Sequence, residues 1–417
     1  MSLKNILWVF ATVGLTAACS SDDPNTPNGP DGNGGDPAAK NPAEISGETR
    51  GWLRSQSNST FDLYDALLMD ELKKGNSVIS PFSLNTALAM LANGDSDVKG
   101  RDLLGYLGCE SLSELNSNVN TVLNNFPYLD ADVRMESANS IWIDSSFPVM
   151  PQYRSSLEEW YRAEVVNTDF DKTVASRINS WVSEKTDGMI PEFFNPAEPV
   201  TGPFVLLNAF SFKAPWNTPF DEALTKNKPF TNLDGSVSQT AMMHAKEMTG
   251  SYQATEAFTS FTIPFGNGSY VISLVLPAEG KDFNSVIAEL KKTGVENLTQ
   301  GTTLDIEVAV PKFSVETGID FRGKLPQLGL SSIFGGGIWN LINMDSPFMV
   351  GNVLQKVRFT VDEQGGEGAG TSAITTIDMS GDGGKTPKEF RADRPFLFIV
   401  TERKTATPIF LGRIVKL

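Results

Sequence analysis

The sequence predicts a domain that mixes α-helices and β-strands, and three features of the chain support this. Apolar residues recur at helical spacing over residues 61–72. Two later segments have strand character: residues 353–362 alternate apolar and polar side chains, and residues 395–401 are apolar almost throughout, as a strand covered on both faces would be. Between these two strands runs a long glycine-rich segment, and its pattern is the strongest functional signal in the chain.

Length and composition indicate one large globular domain. The chain has 417 residues, of which 40% are hydrophobic and 20% charged, enough apolar side chains for a large core. Length alone would permit two or three domains, but no internal linker follows residue 46. The net charge of −16, from 50 acidic and 34 basic residues, disfavours nucleic-acid binding because a phosphate backbone requires a basic surface.

Cysteine and histidine are too scarce for several kinds of site. The two cysteines, Cys19 and Cys109, build no disulfide framework, and the single histidine, His244, excludes a multi-histidine metal site. A Ser-His-Asp or Cys-His hydrolase would have to use His244, which lies in a segment with strand character. We therefore expect neither an enzyme nor a protein that needs a metal or cofactor, and we expect Cys109 to be a small core or helix-end residue.

The first 46 residues have the composition of an export signal followed by a tether. Residues 1–18 carry one lysine, an apolar run and then small residues, which predicts a signal peptide too short to span a membrane. Residues 15–19 resemble a bacterial lipobox, which would make Cys19 the lipidated first residue of the mature chain and residues 19–46, rich in Pro, Gly and Asp, a flexible tether. The alternative is an ordinary signal peptide with an incidental cysteine. Residues 20–23 resemble the acidic export tag of surface lipoproteins, so we expect a lipoprotein of the outer membrane at the cell surface.

The remaining elements follow from local patterns. Helices are predicted over residues 87–94 and 177–188, each closed by its final glycine. Strands are predicted over residues 138–143, 205–216, 261–265 and 272–277, the last two as the strands of a hairpin. These elements lie within the folded part of the chain, residues 47–417.

The glycine-rich segment, residues 363–395, is long for a connection inside a compact domain. It holds six glycines from Glu363 up to and including Gly383, and no aromatic residue before Phe390. Structureless segments of this length are usually either functional or disordered, and a disordered surface loop is the first alternative. A phosphate-binding loop is a poor alternative, because it would need Gly-Lys-Ser/Thr and no lysine comes directly after Gly370.

The start of this segment alternates in a way that fits a strand. One set of positions is small and uncharged, and the set between them carries the only charge. The first set is Gly366, Gly368, Gly370 and Ser372, and the second is Glu367, Ala369, Thr371 and Ala373. This period of two predicts a segment that could enter a sheet if a gap opened, because nothing bulky or charged would be buried on the small face.

Several segments resemble the serpins, a family of mostly protease-inhibiting proteins. The resemblance is carried by residues 79–94 (ISPFSLNTALAMLANG), by Asp-Glu-Gln-Gly at 362–365, by residues 390–396 and by residues 408–414. It extends from about residue 48 to Leu417, essentially the whole folded part. It implies an α+β fold: a single serpin-like domain of three β-sheets with about nine helices and an exposed reactive-centre loop, residues 363–390.

The resemblance also implies a function that works once per molecule. A serine protease attacks a bond of the exposed loop as if it were substrate, a covalent acyl complex forms, and the cleaved loop inserts into the central sheet before water releases the enzyme. We therefore expect a monomeric, irreversible suicide-substrate inhibitor, attached to the membrane through Cys19. The alternative is a non-inhibitory serpin that acts as a surface binding lipoprotein and is cut without trapping the protease.

The family spacing puts the attacked bond after the sixteenth residue beyond the hinge glutamate. Counted from Glu363 this residue is Met379, and the scissile bond is Met379–Ser380. A methionine there suits the apolar specificity pocket of elastase-, chymotrypsin- or subtilisin-like proteases. An enzyme that cuts after acidic residues would instead use Asp378, and the remaining alternative is that Met379 is a plain loop methionine.

Two groups of residues are expected to govern insertion. The hinge consists of Glu363, Gly365, Gly366, Glu367, Gly368, Ala369 and Gly370. Several of its glycines stand where relatives often carry threonine or alanine, and because glycine costs more entropy to order in a strand, we expect slower insertion. The sheet-opening residues are Ser80, Ser83, Asn208, Gln355, Lys213 and Trp216, with Gln355 at the position of the usual histidine, so that this position cannot titrate. The alternatives are core packing for Trp216 and a solvated face for Lys213.

Overall fold

The structure is a computed structural model that describes residues 44–71, 75–94, 98–335, 340–341, 350, 353–366 and 389–417. The predicted signal peptide and most of the tether, including Cys19, lie outside these residues. So do the predicted hinge residues Glu367, Gly368, Ala369 and Gly370 and the predicted cleavage residues Asp378, Met379 and Ser380. Within the described ranges, no helix is both long and apolar enough to cross a membrane.

Eight α-helices and fifteen β-strands are present in the described residues. The helices are α1 (Gly47–Glu71), α2 (Pro81–Ala92), α3 (Val98–Tyr106), α4 (Leu112–Asn125), α5 (Pro151–Tyr161), α6 (Val174–Lys185), α7 (Phe283–Thr293) and α8 (Glu296–Thr299). The strands are β1 (Ser77–Ile79), β2 (Arg134–Asp144), β3 (Glu164–Thr168), β4 (Phe204–Pro215), β5 (Lys226–Thr231), β6 (Val237–Ala254), β7 (Phe258–Phe265), β8 (Tyr270–Pro277), β9 (Thr302–Pro311), β10 (Phe313–Asp320), β11 (Leu354–Val361), β12 (Gly365–Gly366), β13 (Glu389–Arg391), β14 (Phe396–Glu402) and β15 (Thr407–Ile414).

The strands form three sheets, and the mixture of helices and sheets confirms the α+β prediction. The largest sheet has nine strands in the order β1-β15-β14-β8-β7-β6-β9-β13, with β5 paired to β6 beside this path. The second has four strands in the order β12-β4-β2-β3, and the third is the antiparallel pair of β10 and β11. About nine helices were expected, and eight lie in the described part of the chain.

The elements predicted from local patterns are present, with shifts at their ends. β7 and β8 form the predicted hairpin, and every residue of β14 is buried, as its continuous apolar run predicted. The helix predicted over residues 177–188 is α6, which ends at Lys185. Gly188 lies beyond its end, because a φ of +76° is incompatible with an α-helix. The helix predicted over residues 87–94 begins earlier, at Pro81, because the Ser80 hydroxyl caps it by accepting from the Ser83 N–H.

Helix α2 lies at the centre of the core, with ten of its twelve residues buried. Its Phe82 ring lies 5.3 Å from that of Phe210 in β4, and Phe210 lies 5.5 Å from Phe410 in β15. β11 reaches the same aromatic cluster through Phe359, whose ring is 5.1 Å from that of Phe410. β4 and β11 are therefore packed on one core although they belong to different sheets.

Candidate functional site at the turn between β11 and β12

After β11 the chain reverses direction in a tight turn. The N–H of Asp362 donates to the Gly365 carbonyl at 3.0 Å, and the Asp362 side chain accepts from the N–H of Gln364 at 2.9 Å. Gly365 and Gly366 then form β12, which pairs antiparallel with the end of β4. A bridge between Asp362 and Gly365 makes β12 antiparallel to β11 as well. The first residues of the glycine-rich loop therefore already lie in a sheet, between β4 and β11.

The two glycines of β12 differ in what their positions tolerate. Gly365 has a φ of +139°, and a Cβ added there would lie 2.2 Å from the carbonyl oxygen of Ala214. This position therefore requires glycine. At Gly366 a Cβ would meet nothing closer than 3.8 Å, which is ordinary van der Waals contact. The turn therefore requires glycine at position 365. At position 366 neither the backbone conformation nor the space around the residue requires glycine.

Trp216, directly after β4, supports the turn from within the core. Its side chain is 1% exposed, and its ring stacks on that of Phe265 with the centroids 4.7 Å apart. The indole N–H donates to the carbonyl of Asp362 at 2.8 Å, and the backbone N–H donates to the carbonyl of Gln364 at 2.9 Å. The tryptophan is thus a core residue that also holds two carbonyl groups of the turn.

An ion pair between the buried Glu363 and the half-exposed Lys312 holds the turn from another direction. The side chain of Glu363 is 8% exposed; its carboxylate lies 2.7 Å from Lys312 Nζ and accepts from the Thr225 hydroxyl at 2.8 Å. Burial by itself raises the pKa of the Glu363 carboxyl, but the hydrogen bonds from Lys312 and Thr225 outweigh it and hold the pKa below its ordinary value of 4.5. The same contact raises the pKa of Lys312. The hinge glutamate is therefore charged and tied to the connection between β9 and β10.

Two cavities lie between β4 and β11 beyond the turn, and we call this space the slot. A cavity of about 160 Å³ is lined by Gly366, by Phe212 of β4 and by Phe359 of β11. A larger cavity of about 450 Å³ is lined by Asn208 of β4, by Gln355 of β11 and by apolar side chains of α2. Among the described residues, β4 and β11 are not paired with each other. The slot therefore begins where β12 ends and continues between two strand edges.

The predicted sheet-opening residues form two groups on opposite sides of the slot. Gln355 contacts the start of α2: its Oε1 accepts from the Ser80 N–H at 3.2 Å, and its Nε2 donates to the Ser80 carbonyl at 2.8 Å. Asn208 contacts β2 instead, donating to Ser137 at 2.9 Å and to Asn139 at 2.6 Å. Asn208 and Gln355, both of which the structure describes, are not hydrogen-bonded to each other.

Lys213 lies on the opposite face of β4 from Phe212, near the surface. Its Nζ is 3.5 Å from the carboxylate of Asp187, which Arg134 also approaches to 3.6 Å. The side chain is 23% exposed, so the lysine carries a partly solvated positive charge beside the slot.

Lys312 and Thr225 are site residues that no sequence pattern predicted. Lys312 lies in a segment that resembles the family, but no local pattern indicates that it meets Glu363, which is far away in the chain. The only available signal is the charge of an isolated lysine directly after a buried strand, and many surface lysines share it.

The histidine and the second cysteine lie elsewhere. His244 is in β6, with its Nε2 3.0 Å from the carboxylate of Glu307, and this contact lowers the pKa of Glu307. Cys109 is buried just after α3, and burial raises the pKa of its thiol to about 11. In the ranges that the structure describes, no three His, Cys, Asp or Glu side chains are grouped as metal ligands would be.

The similarity to known proteins extends over most of the chain. Residues 54–417 match the model of the family described as Serpin (serine protease inhibitor). An uncharacterized serpin-like protein of Thermococcus kodakarensis is 28% identical over 407 residues, which cover 95% of this chain and 92% of the relative. The leukocyte elastase inhibitor of Bos taurus is 29% identical over 401 residues, which cover 86% of this chain and 98% of the relative.

A solved structure supports the same relationship. The crystal structure of tengpin, a thermophilic serpin, in its native state has a TM-score of 0.78 and 27% sequence identity to this chain. The match covers 91% of this chain and 96% of tengpin.

Replacing Gly365 by alanine should expel β12 from the sheet. The added Cβ would clash with the Ala214 carbonyl and force a strained φ, at a cost of about 1–3 kcal/mol. We expect Gly365→Ala to raise hydrogen–deuterium exchange in residues 360–366 and to lower the melting temperature. Gly366→Ala is the matched control and should leave both unchanged. Equal hydrogen–deuterium exchange of residues 360–366 in the two variants would contradict the requirement for glycine at position 365.

Replacing Lys312 by methionine should lower the free energy of unfolding at pH 7 by about 1–2 kcal/mol: the buried Glu363 carboxylate loses its cation, but solvent screens the lysine, which is 41% exposed. A carboxyl whose folded-state pKa is depressed adds stability only while it is charged, so the wild type should lose this contribution as the pH falls below 4.5 through that pKa. Urea unfolding at several pH values would show the two proteins converging in acid.

Lys291→Met is the matched control for this experiment. The partners of Lys291 are the exposed carboxylates of Asp62 and Asp65, so its loss should cost less than about 1 kcal/mol. Equal losses for the two lysine variants, or a difference for Lys312→Met that persists in acid, would show that the Glu363 pair does not hold the turn.

Proposed function

The chain belongs to the serpin family, and from that membership we propose that it is an irreversible inhibitor of serine proteases whose cleaved loop enters the central sheet. The loop runs from the hinge at Glu363 to residue 390. The protease attacks this loop as a substrate, and the cleaved loop then inserts into the slot between β4 and β11.

One observation carries this proposal: β12 already begins a strand between β4 and β11. Gly365 and Gly366 pair with β4, and the slot continues directly beyond them. A loop that starts in this position needs no new turn to continue as a strand. The two cavities beyond it supply space along the same path.

The covalent chemistry follows from the proposed scissile bond, Met379–Ser380. The protease serine attacks the carbonyl carbon of Met379, the peptide bond breaks, and the new amino terminus at Ser380 departs with a proton. An ester then joins the protease to Met379. Insertion of residues 367–379 as a strand of about 3.3 Å per residue moves this ester by about 40 Å, so that the protease is carried from one end of the sheet toward the other before water completes the hydrolysis.

The side chain at the scissile bond indicates the class of target protease. An unbranched apolar methionine fits the pockets of elastase-, chymotrypsin- or subtilisin-like enzymes better than that of a trypsin-like enzyme, which needs Arg or Lys. No Arg or Lys occurs between Glu363 and Lys385. The relative from Bos taurus is named as an elastase inhibitor, which supports the same class.

A second candidate function is favoured by the glycines at 366, 368 and 370. Glycine costs more entropy to order than alanine or threonine, so insertion could be too slow to compete with hydrolysis. The protein would then be a non-inhibitory serpin whose loop is cut without trapping the protease.

Incubation with an elastase-like protease separates these two functions. The first function predicts a band at the summed mass on a denaturing gel and a cleaved inhibitor that melts at a higher temperature than the intact one. Gly366→Arg, which would put a charge against the buried Phe359 ring, should yield cleavage without the covalent band. Bare cleavage by the wild type, with no gain in melting temperature, would support the second function.

The same gel measures the effect of the hinge glycines. Replacing Gly366 by Thr and Gly368 by Ala should raise the trapped fraction, because both residues have higher strand propensity or lower ordering cost than glycine. An unchanged ratio of inhibitor consumed to protease blocked would count against this explanation.

We also propose that the inhibitor is exported and anchored in the outer membrane through a lipid on Cys19. Residues 19–46, the 28 residues predicted to form a tether, would hold the domain about 30 Å from the lipid surface if they behave as a random coil. Cells that express the full chain should incorporate a labelled fatty acid into it, and Cys19→Ser should abolish the labelling. Labelling that survives this substitution would remove the basis for the anchor.

A further inference from the structure

We infer that Asp130 is a positioning residue for the hinge turn, residues 362–366, and that it acts through the turn between β7 and β8 and through Trp216. Three observations support this role: a buried carboxylate without a cation, a glycine packed against that carboxylate, and hydrogen bonds on both sides of Trp216. The effect of Asp130 on trapping a protease rests on the function proposed above, whereas its effect on the hinge turn does not.

Asp130, in the segment between α4 and β2, carries a buried carboxylate. The residue is 3% exposed, and among the described residues no lysine, arginine or histidine forms an ion pair with it. Backbone N–H groups take the place of a cation: Asn267 donates to Oδ2 at 2.6 Å, and Asp132 donates to Oδ1 at 2.9 Å. A buried carboxylate is costly unless such donors stay in place, so Asp130 holds its own segment and the turn between β7 and β8 in one arrangement.

The turn between β7 and β8 is closed onto this carboxylate. Gly266 has a φ of +42°, and a Cβ added there would lie 2.2 Å from Asp130 Oδ2, so only glycine fits. The following residues bind the same segment: the Asn267 side-chain amide donates to the Leu129 carbonyl at 3.0 Å, and the Ser269 hydroxyl donates to it at 3.2 Å. The segment before β2 therefore fixes this turn through one carboxylate and one carbonyl group.

The same turn holds the backbone on both sides of Trp216. Before it, the Pro215 carbonyl accepts from the Gly266 N–H at 2.9 Å. After it, the Asn217 N–H donates to the Pro264 carbonyl at 3.0 Å, and the Asn217 side-chain amide donates to the Gly266 carbonyl at 2.7 Å. Gly266 thus contacts Asp130 on one side and both neighbours of Trp216 on the other.

Trp216 transmits this placement to the hinge turn. Its indole N–H and its backbone N–H donate to the carbonyl groups of Asp362 and Gln364. The hydrogen bonds between residues 215–217 and the turn between β7 and β8 determine where these two donors lie. Because Asp130 fixes that turn, its carboxylate sets the position of the hinge turn.

Asp130→Asn tests this role, because it replaces the carboxylate by an amide of nearly the same shape. One acceptor oxygen becomes an NH₂ group that faces an N–H donor, so the contact with either Asn267 or Asp132 is lost. We expect hydrogen–deuterium exchange in residues 360–366 to become about tenfold faster, since a hydrogen bond to a charged group is lost. The melting temperature of the intact protein should also fall.

Asp144→Asn is the matched control. Asp144, at the other end of β2, also accepts from two backbone N–H groups, those of Ser146 at 2.9 Å and Phe170 at 3.0 Å. This variant should lower the melting temperature too, but it should leave the exchange of residues 360–366 unchanged. Equal exchange of these residues in the two variants would show that Asp130 contributes only to general stability, and the positioning role would be overturned.

Asn217→Ala tests the middle of the path and remains informative if Asp130→Asn does not fold. The variant loses the hydrogen bond to the Gly266 carbonyl, and exchange in residues 360–366 should become about fivefold faster. Combined with Asp130→Asn, it should raise exchange by less than the product of the two separate factors, because both act through one turn. A combined effect equal to that product, or no effect of Asn217→Ala, would show that Asp130 does not act through this turn.

Incubation with an elastase-like protease connects the hinge turn to the proposed function. Asp130→Asn should raise the ratio of inhibitor consumed to protease blocked, because β12 is less firmly held against β4, whereas Asp144→Asn should not. If the wild type forms no covalent band, the proposed function fails, and the exchange measurements still decide the positioning role. If exchange rises in Asp130→Asn and the ratio does not, Asp130 positions the turn and its part in trapping is overturned.

Discussion

The reversal of the chain after β11 is the constraint on which the rest of the site depends. Trp216, packed on Phe265, holds two carbonyl groups of the turn, and Lys312 holds the Glu363 carboxylate. These supports come from separate parts of the chain, so the loop leaves β11 in one direction only, back between β4 and β11. Without this turn, Gly365 and Gly366 would not lie beside the end of β4.

The unpaired edges of β4 and β11 on either side of the slot affect the stability of the intact protein. β4 and β11 lie on one aromatic core, yet within the described residues they are not paired with each other. Backbone groups along two facing strand edges are better satisfied when a strand lies between them. A form with no strand between β4 and β11 therefore has a higher free energy than a form with a strand inserted there. The inhibitory mechanism proposed for this chain would be driven by this difference.

The hinge glycines reflect two opposing requirements. The inward side of the slot near the turn is lined by the large rings of Phe212 and Phe359, and small loop residues fit against such rings without displacing them. The same smallness makes the loop costly to order and leaves it with weak strand propensity. In the proposed mechanism the rate of insertion would depend on this balance, because the fit favours the inserted strand and the entropy of ordering the loop opposes it.

By itself, the sequence determined the local elements and the family. Strands such as β14 and the hairpin of β7 and β8 were predictable because the periodicity of apolar residues records which faces are buried, and the motif at residues 79–94 identified the family. Only the tertiary structure paired Lys312 with Glu363 and turned Asn208 away from Gln355, because those contacts depend on which distant segments meet. It also separated Gly365 from Gly366, which look alike in sequence: a positive φ and the nearby carbonyl of Ala214 make glycine necessary at the first position alone.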